Sequence, residues 1–319
     1  MEEEMNGQGI NVQEQSGMAA AAPVQAEVAQ APAKKRIRVG FIFLSVVPVA
    51  ILIMLQTVCQ IPFIGLSVYD LIKDGTDIND AMAMTDKMME VFTEKYAAIT
   101  YILYAVIGLI IFSIWYYKGF VKKNPRVDLK QVIGIKSILA CFGTVVGLYF
   151  AINAGFILAE RFFPSVIEQY VQLIESSGIT DNFLIQVVYA IALGPILEEL
   201  CLRGVTFGLL EKSGIKPFFV ILISGILFGV MHLNLVQGIY AAFLGFMLGY
   251  IRYKYRSLYF TVFTHILFNS IGTYGDELIA DIGLKDSVKL ILGGLALFVI
   301  VFVIVLINGD KKAFKSTDN

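Results

Sequence analysis

Long apolar runs constrain this chain more than any other feature. Crossing the hydrocarbon core of a bilayer takes about 20 mainly apolar residues. Runs of this kind recur near 39–66, 97–117, 133–158, 183–210, 217–236, 238–251, 258–275 and 287–308, and within 319 residues they leave room only for connections and tails. The composition agrees: 57% of the residues are hydrophobic and 16% are charged, against about 25% charged in a typical soluble domain. A soluble globular enzyme is a poor fit. The pattern predicts an all-α, polytopic integral membrane protein of about eight transmembrane helices, placed in the cell membrane. The first span is long and contains Pro48 and Pro62. The fifth and sixth share one apolar run from Pro217 to Ile251, broken only by Asn234, Gln237 and Gly238. This reads as a tight helical hairpin whose second arm is short enough to be tilted or re-entrant.

The basic residues supply an orientation, because Lys and Arg accumulate in cytoplasmic loops. With the N-terminus inside, eighteen of the 25 Lys and Arg fall in the inner segments 34–38, 118–136, 212–216, 252–256 and 311–315. Six fall in outer segments, and Arg203 lies within a span. Eight spans with both termini cytoplasmic satisfy this distribution. Residues 1–36 begin with an acidic, Gln- and Ala-rich stretch that cannot bury a core and read as a disordered cytoplasmic tail. Residues 37–309 form the membrane domain, and 310–319 a second cytoplasmic tail. The tail and the acidic loop 67–96 read as solvated segments. The cysteines Cys59, Cys141 and Cys201 lie far apart in apolar stretches and form neither a disulfide framework nor a zinc pattern. A net charge of −1 gives no basis for binding nucleic acid.

Three polar constellations interrupt apolar spans within 183–275. The first is Gly194-Pro195-Ile196-Leu197-Glu198-Glu199-Leu200-Cys201-Leu202-Arg203. Each ionisable group at the centre of a membrane helix costs about 2.5–3.5 kcal/mol on insertion scales, so such groups persist only with partners or work to do. Glu199 and Arg203 are four residues apart and can pair on one face, which reads first as a structural clamp. Glu198, about 100° round the helix, is left without a local cation. A carboxylate poised in a low-dielectric cavity suits general-base chemistry. Pro195 cannot donate to the carbonyl of Ile191, which predicts a kink one turn before the pair. Broken backbone is tolerated at membrane depth where it lines a wet cavity.

The second constellation is Phe228-Gly229-Val230-Met231-His232, and the third is His265-Ile266-Leu267-Phe268-Asn269. At a spacing of four, Phe228 shares a face with His232, and His265 with Asn269. These are the chain's two histidines, and both fall in membrane spans. A lone helix histidine is more often a hydrogen-bonded core residue than a catalyst. Two of them, with an unpaired glutamate and an amide on neighbouring spans, point to water activation. Glu198 would take a proton from water, and His232 would hold that water or protonate the leaving amine. His265 and Asn269 would donate to a developing oxyanion.

Together, Glu198-Glu199-x-x-x-Arg203, Phe228-x-x-x-His232 and His265-x-x-x-Asn269 resemble the three motifs of the CPBP family. This family, also called Abi, includes CAAX prenyl endopeptidases and bacteriocin-processing enzymes. The resemblance covers residues 198–269. It implies a metal-independent intramembrane glutamic endopeptidase with eight helices. Glu198 and His232 would activate water, and His265 and Asn269 would stabilise the oxyanion. Glu199, Arg203 and Phe228 would be supporting residues. It implies a membrane-associated or lipidated peptide substrate, of the CAAX type or a processed bacterial peptide, and no cofactor. Three other readings compete. Two histidines and a carboxylate could hold zinc in a metalloprotease site, although no His-Glu-x-x-His helix exists. Glu and His could relay protons in a transporter, although such proteins are often built from matched repeats that this chain lacks. The third is a non-catalytic membrane scaffold.

Overall fold

The computed structural model describes residues 36–76, 81–122, 129–176 and 183–313. The expected N-terminal tail lies outside these residues except for Arg36, as does the expected C-terminal tail beyond Ala313. Among the described residues, one turn of helix (Leu129–Val132) and nine longer helices follow in chain order. They are α1 (Val39–Lys73), α2 (Ala81–Val121), α3 (Ile135–Phe162), α4 (Pro164–Ser176), α5 (Ile185–Ser213), α6 (Pro217–Val230), α7 (Leu235–Tyr255), α8 (Leu258–Ile282) and α9 (Asp286–Asn308). No strand occurs among the described residues, so the all-α expectation holds. Six helices (α1, α2, α3, α5, α7 and α9) are long and apolar enough to cross a membrane. The chain is an integral, multi-pass membrane protein.

The remaining two expected spans need a closer look. The eighth helix, α8, is 25 residues long and carries the polar groups of the third constellation. The hairpin differs from expectation in both arms. Helix α6 stops at Val230 after 14 residues, short of the expected 236. The second arm, expected to be the short one, is the 21-residue α7 beginning at Leu235. The cause is local: Asn234 is extended, and its side-chain oxygen accepts from the backbone N–H of Gln237 at 3.0 Å. This N-cap starts a new helix there. At 1.5 Å per residue α6 is about 21 Å long, less than the ~30 Å hydrocarbon core. The turn at 231–234 therefore falls within membrane depth.

The two arms pack backbone to backbone. A Cβ on Gly245 would lie 2.9 Å from the Cα of Gly225, so neither position has room for a side chain. This approach carries the Gly245 carbonyl toward α5. On the other flank, α9 lies along α3 and buries Ala296, Val303 and Ile307 while exposing Leu295, Phe298 and Phe302. In a membrane those exposed apolar side chains face lipid, where they carry no penalty.

Described residues of all five basic segments meet at one end of the bundle. Arg38 donates to the carbonyl of Lys212 at 2.5 Å, and its backbone N–H donates to Ser213 at 2.8 Å. Lys212 reaches the carbonyl of Gly119 at 2.9 Å, and Arg256 pairs with Glu211 at 2.5 Å. Lys136 donates to Gly309 at 3.1 Å, Lys312 donates to Ile133, and Tyr255 bonds Asp310 at 3.0 Å. Arg38 and Lys312, near the two ends of the described chain, are thus at the same end. The opposite end holds the Lys95–Asp70 pair at 3.0 Å.

Candidate active site

Helix α5 presents the two adjacent carboxylates. Residues Leu184–Leu193 run in π-helical register, Gly194–Glu199 form one α-helical stretch, and Leu200–Thr206 are π-helical again. The first change of register answers to Pro195, which brings no N–H to the ladder. The N–H of Gly194 donates to Tyr189, five residues back. The discontinuity predicted at Pro195 is thus taken up as a widened helix. Wide turns of this type are frequent at functional sites. Here they bracket Glu198 and Glu199.

Glu199 is fully buried and held from two sides. Arg203, also fully buried, donates from Nη1 to Glu199 Oε1 at 2.7 Å and from Nη2 to the Gly245 carbonyl at 2.9 Å. The guanidinium lies 4.5 Å from the centroid of the Phe228 ring. The same Oε1 lies 3.1 Å from His265 Nδ1. Sequence reasoning pairs Glu199 with Arg203 alone; the contact with His265 depends on α5 and α8 crossing and leaves no trace in spacing. It fixes the ring so that Nε2 faces Glu198, with Nε2 to Oε2 at 3.6 Å. That separation is slightly long for a direct hydrogen bond and short enough for both atoms to share one bound group. Glu198 itself is 19% exposed and opens onto a cavity.

His232 comes from the turn after α6, not from within a helix as its spacing implies. Its N–H donates to Gly229 at 3.2 Å, and the N–H of Leu233 donates to Val230 at 3.1 Å. Leu233 then takes φ 54°, a left-handed conformation rare for a non-glycine residue and typical of strained functional turns. The ring still meets Phe228 as its spacing predicts. Nδ1 lies 2.8 Å from the Phe228 carbonyl, and the two rings pack edge to face at 5.2 Å. Phe228 meets His265 in the same way at 5.4 Å. One buried phenyl ring thus spaces both imidazoles and covers Arg203. Non-helical backbone at this depth is consistent with a water-accessible lining.

Glu198, His232, His265 and Asn269 all line one cavity of about 650 Å³. The turn after the short α6 brings His232 to the level of Glu198 at the cavity. Asn269 Nδ2 donates to the carbonyl of Ala190 on α5 at 2.8 Å, which leaves its second N–H available. Sequence reasoning missed the rest of the lining. Tyr101 and Tyr104 of α2 surround Tyr189 of α5, with Tyr101 and Tyr189 stacked at 4.8 Å. Tyr170 of the amphipathic α4 hydrogen-bonds Tyr240 at 3.1 Å at the cavity wall. Tyrosine and glutamine in apolar runs were the available signal, but their helical faces cannot be oriented without the packing. Among the described residues no cluster of three His, Cys, Asp or Glu side chains is arranged to hold a metal ion.

Residues 180–271, reaching from just before α5 into α8, match the family model described as type II CAAX prenyl endopeptidase Rce1-like. Over these residues the chain is similar to that family. The match takes in all seven motif residues, while α1–α4 and α9 lie outside it. A protein of Bacillus subtilis (strain 168), named "Putative membrane peptidase YdiL", is 28% identical over 158 residues. That similarity covers 47% of this chain and 60% of the relative's length. No solved structure matches the chain.

Proposed function

We propose that this protein is an intramembrane endopeptidase in which Glu198 activates water for attack on a peptide bond. Glu198 takes the proton from water held in the cavity and passes it on to the leaving amine, directly or through His232. Asn269 offers its free N–H to the oxyanion. His265 turns its Nε2 toward the same space, held there by the Nδ1 contact with Glu199. Glu199 and Arg203 hold His265 in place, and Phe228 sets the spacing of the two imidazoles. The substrate is a membrane-associated or lipidated peptide that reaches the cavity from the bilayer.

The observation that carries this reading is the convergence of a half-buried glutamate, two histidines and an amide, from α5, α8 and the α6–α7 turn, on one cavity at membrane depth. The family-model match over residues 180–271 and the similarity to a named membrane peptidase support it. The test uses full-length protein purified in detergent and a peptide library derived from a membrane proteome. Mass spectrometry should detect new termini with the wild type and none with Glu198→Gln. Cleavage by Glu198→Gln at the wild-type rate would remove the base assignment.

A further inference from the structure

The cavity has an unusual charge balance for a site that is to hold a peptide. Among the described residues, Glu198 is the one carboxylate in its lining, beside the two histidines, and no Lys or Arg contributes. Amides supply much of the polar surface: Gln56 and Gln60 from α1, Asn153 from α3, Gln186 from α5 and Gln237 from α7. Hydroxyls, among them those of Tyr104, Tyr189 and Tyr240, add to it. These groups both donate and accept hydrogen bonds, which matches the N–H and C=O groups of an extended backbone. None of them supplies a counter-charge for an anion.

Cations of the described residues do not make up the difference. Arg203, the one beside the site, is fully buried behind Glu199 and committed to that carboxylate and to the Gly245 carbonyl. No described Lys or Arg lines the cavity, and at the end of the bundle away from the basic segments Lys95 is paired with Asp70 and Lys289 with Asp286. A substrate carboxylate entering the cavity would lose its hydration, gain no cation and face Glu198. Each of these terms opposes binding, and a like charge is an effective means of excluding a competing ligand.

Resting on the hydrolytic reading above, we infer that this site selects an uncharged stretch inside a longer peptide and discriminates against carboxylates next to the scissile bond. The excluded group includes the free C-terminus of a short terminal fragment. A CAAX sequence is C-terminal, so cleavage after its cysteine places a free carboxylate three residues from the bond. The lining favours an internal bond flanked by neutral side chains instead.

The experiment takes the peptide best cleaved from the library and resynthesises it in matched forms. The same bond is set in mid-chain, three residues from a free carboxyl terminus, and three residues from an amidated terminus. A fourth form places Asp two residues from the bond in the mid-chain peptide. Full-length protein in detergent should cut the mid-chain and amidated forms at similar kcat/KM. The acid-ended and Asp forms should fall at least tenfold. An acid-ended form cut as fast as the amide or faster, or an Asp form cut like its parent, overturns the inference while leaving hydrolysis intact. If the wild type cuts no peptide, or Glu198→Gln cuts every form equally well, the hydrolytic reading fails and the selectivity falls with it.

Discussion

Glu198 and Glu199 are chain neighbours, yet their surroundings predict opposite consequences for the same isosteric change. Glu199→Gln removes the one carboxylate that neutralises Arg203, a guanidinium with no exposed surface. Breaking a buried pair by removing one partner typically costs about 3–5 kcal/mol, because the remaining charge stays buried without compensation. For a chain of this length each kcal/mol lowers Tm by about 2 °C, so Glu199→Gln should unfold about 6–10 °C below the wild type. Glu198 is 19% exposed, and its ion-pair approach among the described residues is the 3.6 Å one to His265. Glu198→Gln should therefore unfold within about 1 °C of the wild type, as expected for substitutions that break no buried partner, while cleaving no peptide. Thermal unfolding of the detergent-solubilised variants, followed by tryptophan fluorescence or a thiol-reactive dye, gives the first quantity, and mass-spectrometric peptide cleavage the second. Equal Tm values for Glu199→Gln and the wild type would refute the assignment of Glu199 as the counter-charge of Arg203. A large loss of stability in Glu198→Gln would refute the view of Glu198 as a group free to do chemistry.

Asn269→Ala should lower kcat about 10²- to 10³-fold, the usual cost of losing one oxyanion donor, and a steady-state assay on the best-cleaved peptide measures it. Phe228→Ala removes the ring that touches His232, His265 and Arg203; a loss of about 3–5 kcal/mol should appear as a lower Tm together with lost cleavage. Gly245→Val forces a side chain against the Gly225 Cα at 2.9 Å, and overpacking of this kind costs about 1–3 kcal/mol; activity should fall further than Tm, because the carbonyl that holds Arg203 moves as well. Exhaustive dialysis against a chelator should leave the cleavage rate unchanged, and a loss restored by zinc would reassign Glu198 and the histidines as metal ligands.

The membrane class, the helical fold and the grouping of the five basic segments at one end were legible because they depend on hydropathy and charge, which act residue by residue. Six of the seven motif positions stand out in the sequence because ionisable and amide groups in apolar runs are conspicuous. The contacts at a spacing of four were legible too: Glu199 does meet Arg203, and Phe228 does meet His232. What spacing could not supply was any contact between helices. The bond from Glu199 to His265 depends on how α5 crosses α8, and the tyrosine and amide lining depends on which face each helix turns inward. The hairpin arms were misjudged for a different reason. Hydropathy sees an uninterrupted apolar run through 230–236, whereas the break is made by the extended conformation and capping side chain of Asn234. A single cap outweighs several apolar neighbours in deciding where a helix starts.

The widened turns of α5 make the site sensitive to chain length as well as to chemistry. Deleting one residue between Ile185 and Leu193 while the wide turns are kept would turn everything downstream by roughly a quarter turn relative to the preceding helix. Glu198 would leave the cavity and its fully buried neighbour would be driven toward it. Insertions there carry the same penalty in the opposite sense. Loops elsewhere can gain or lose residues cheaply, but this stretch must keep its count, and a library of single-residue deletions scanned along α5 should find it the least forgiving part of the protein.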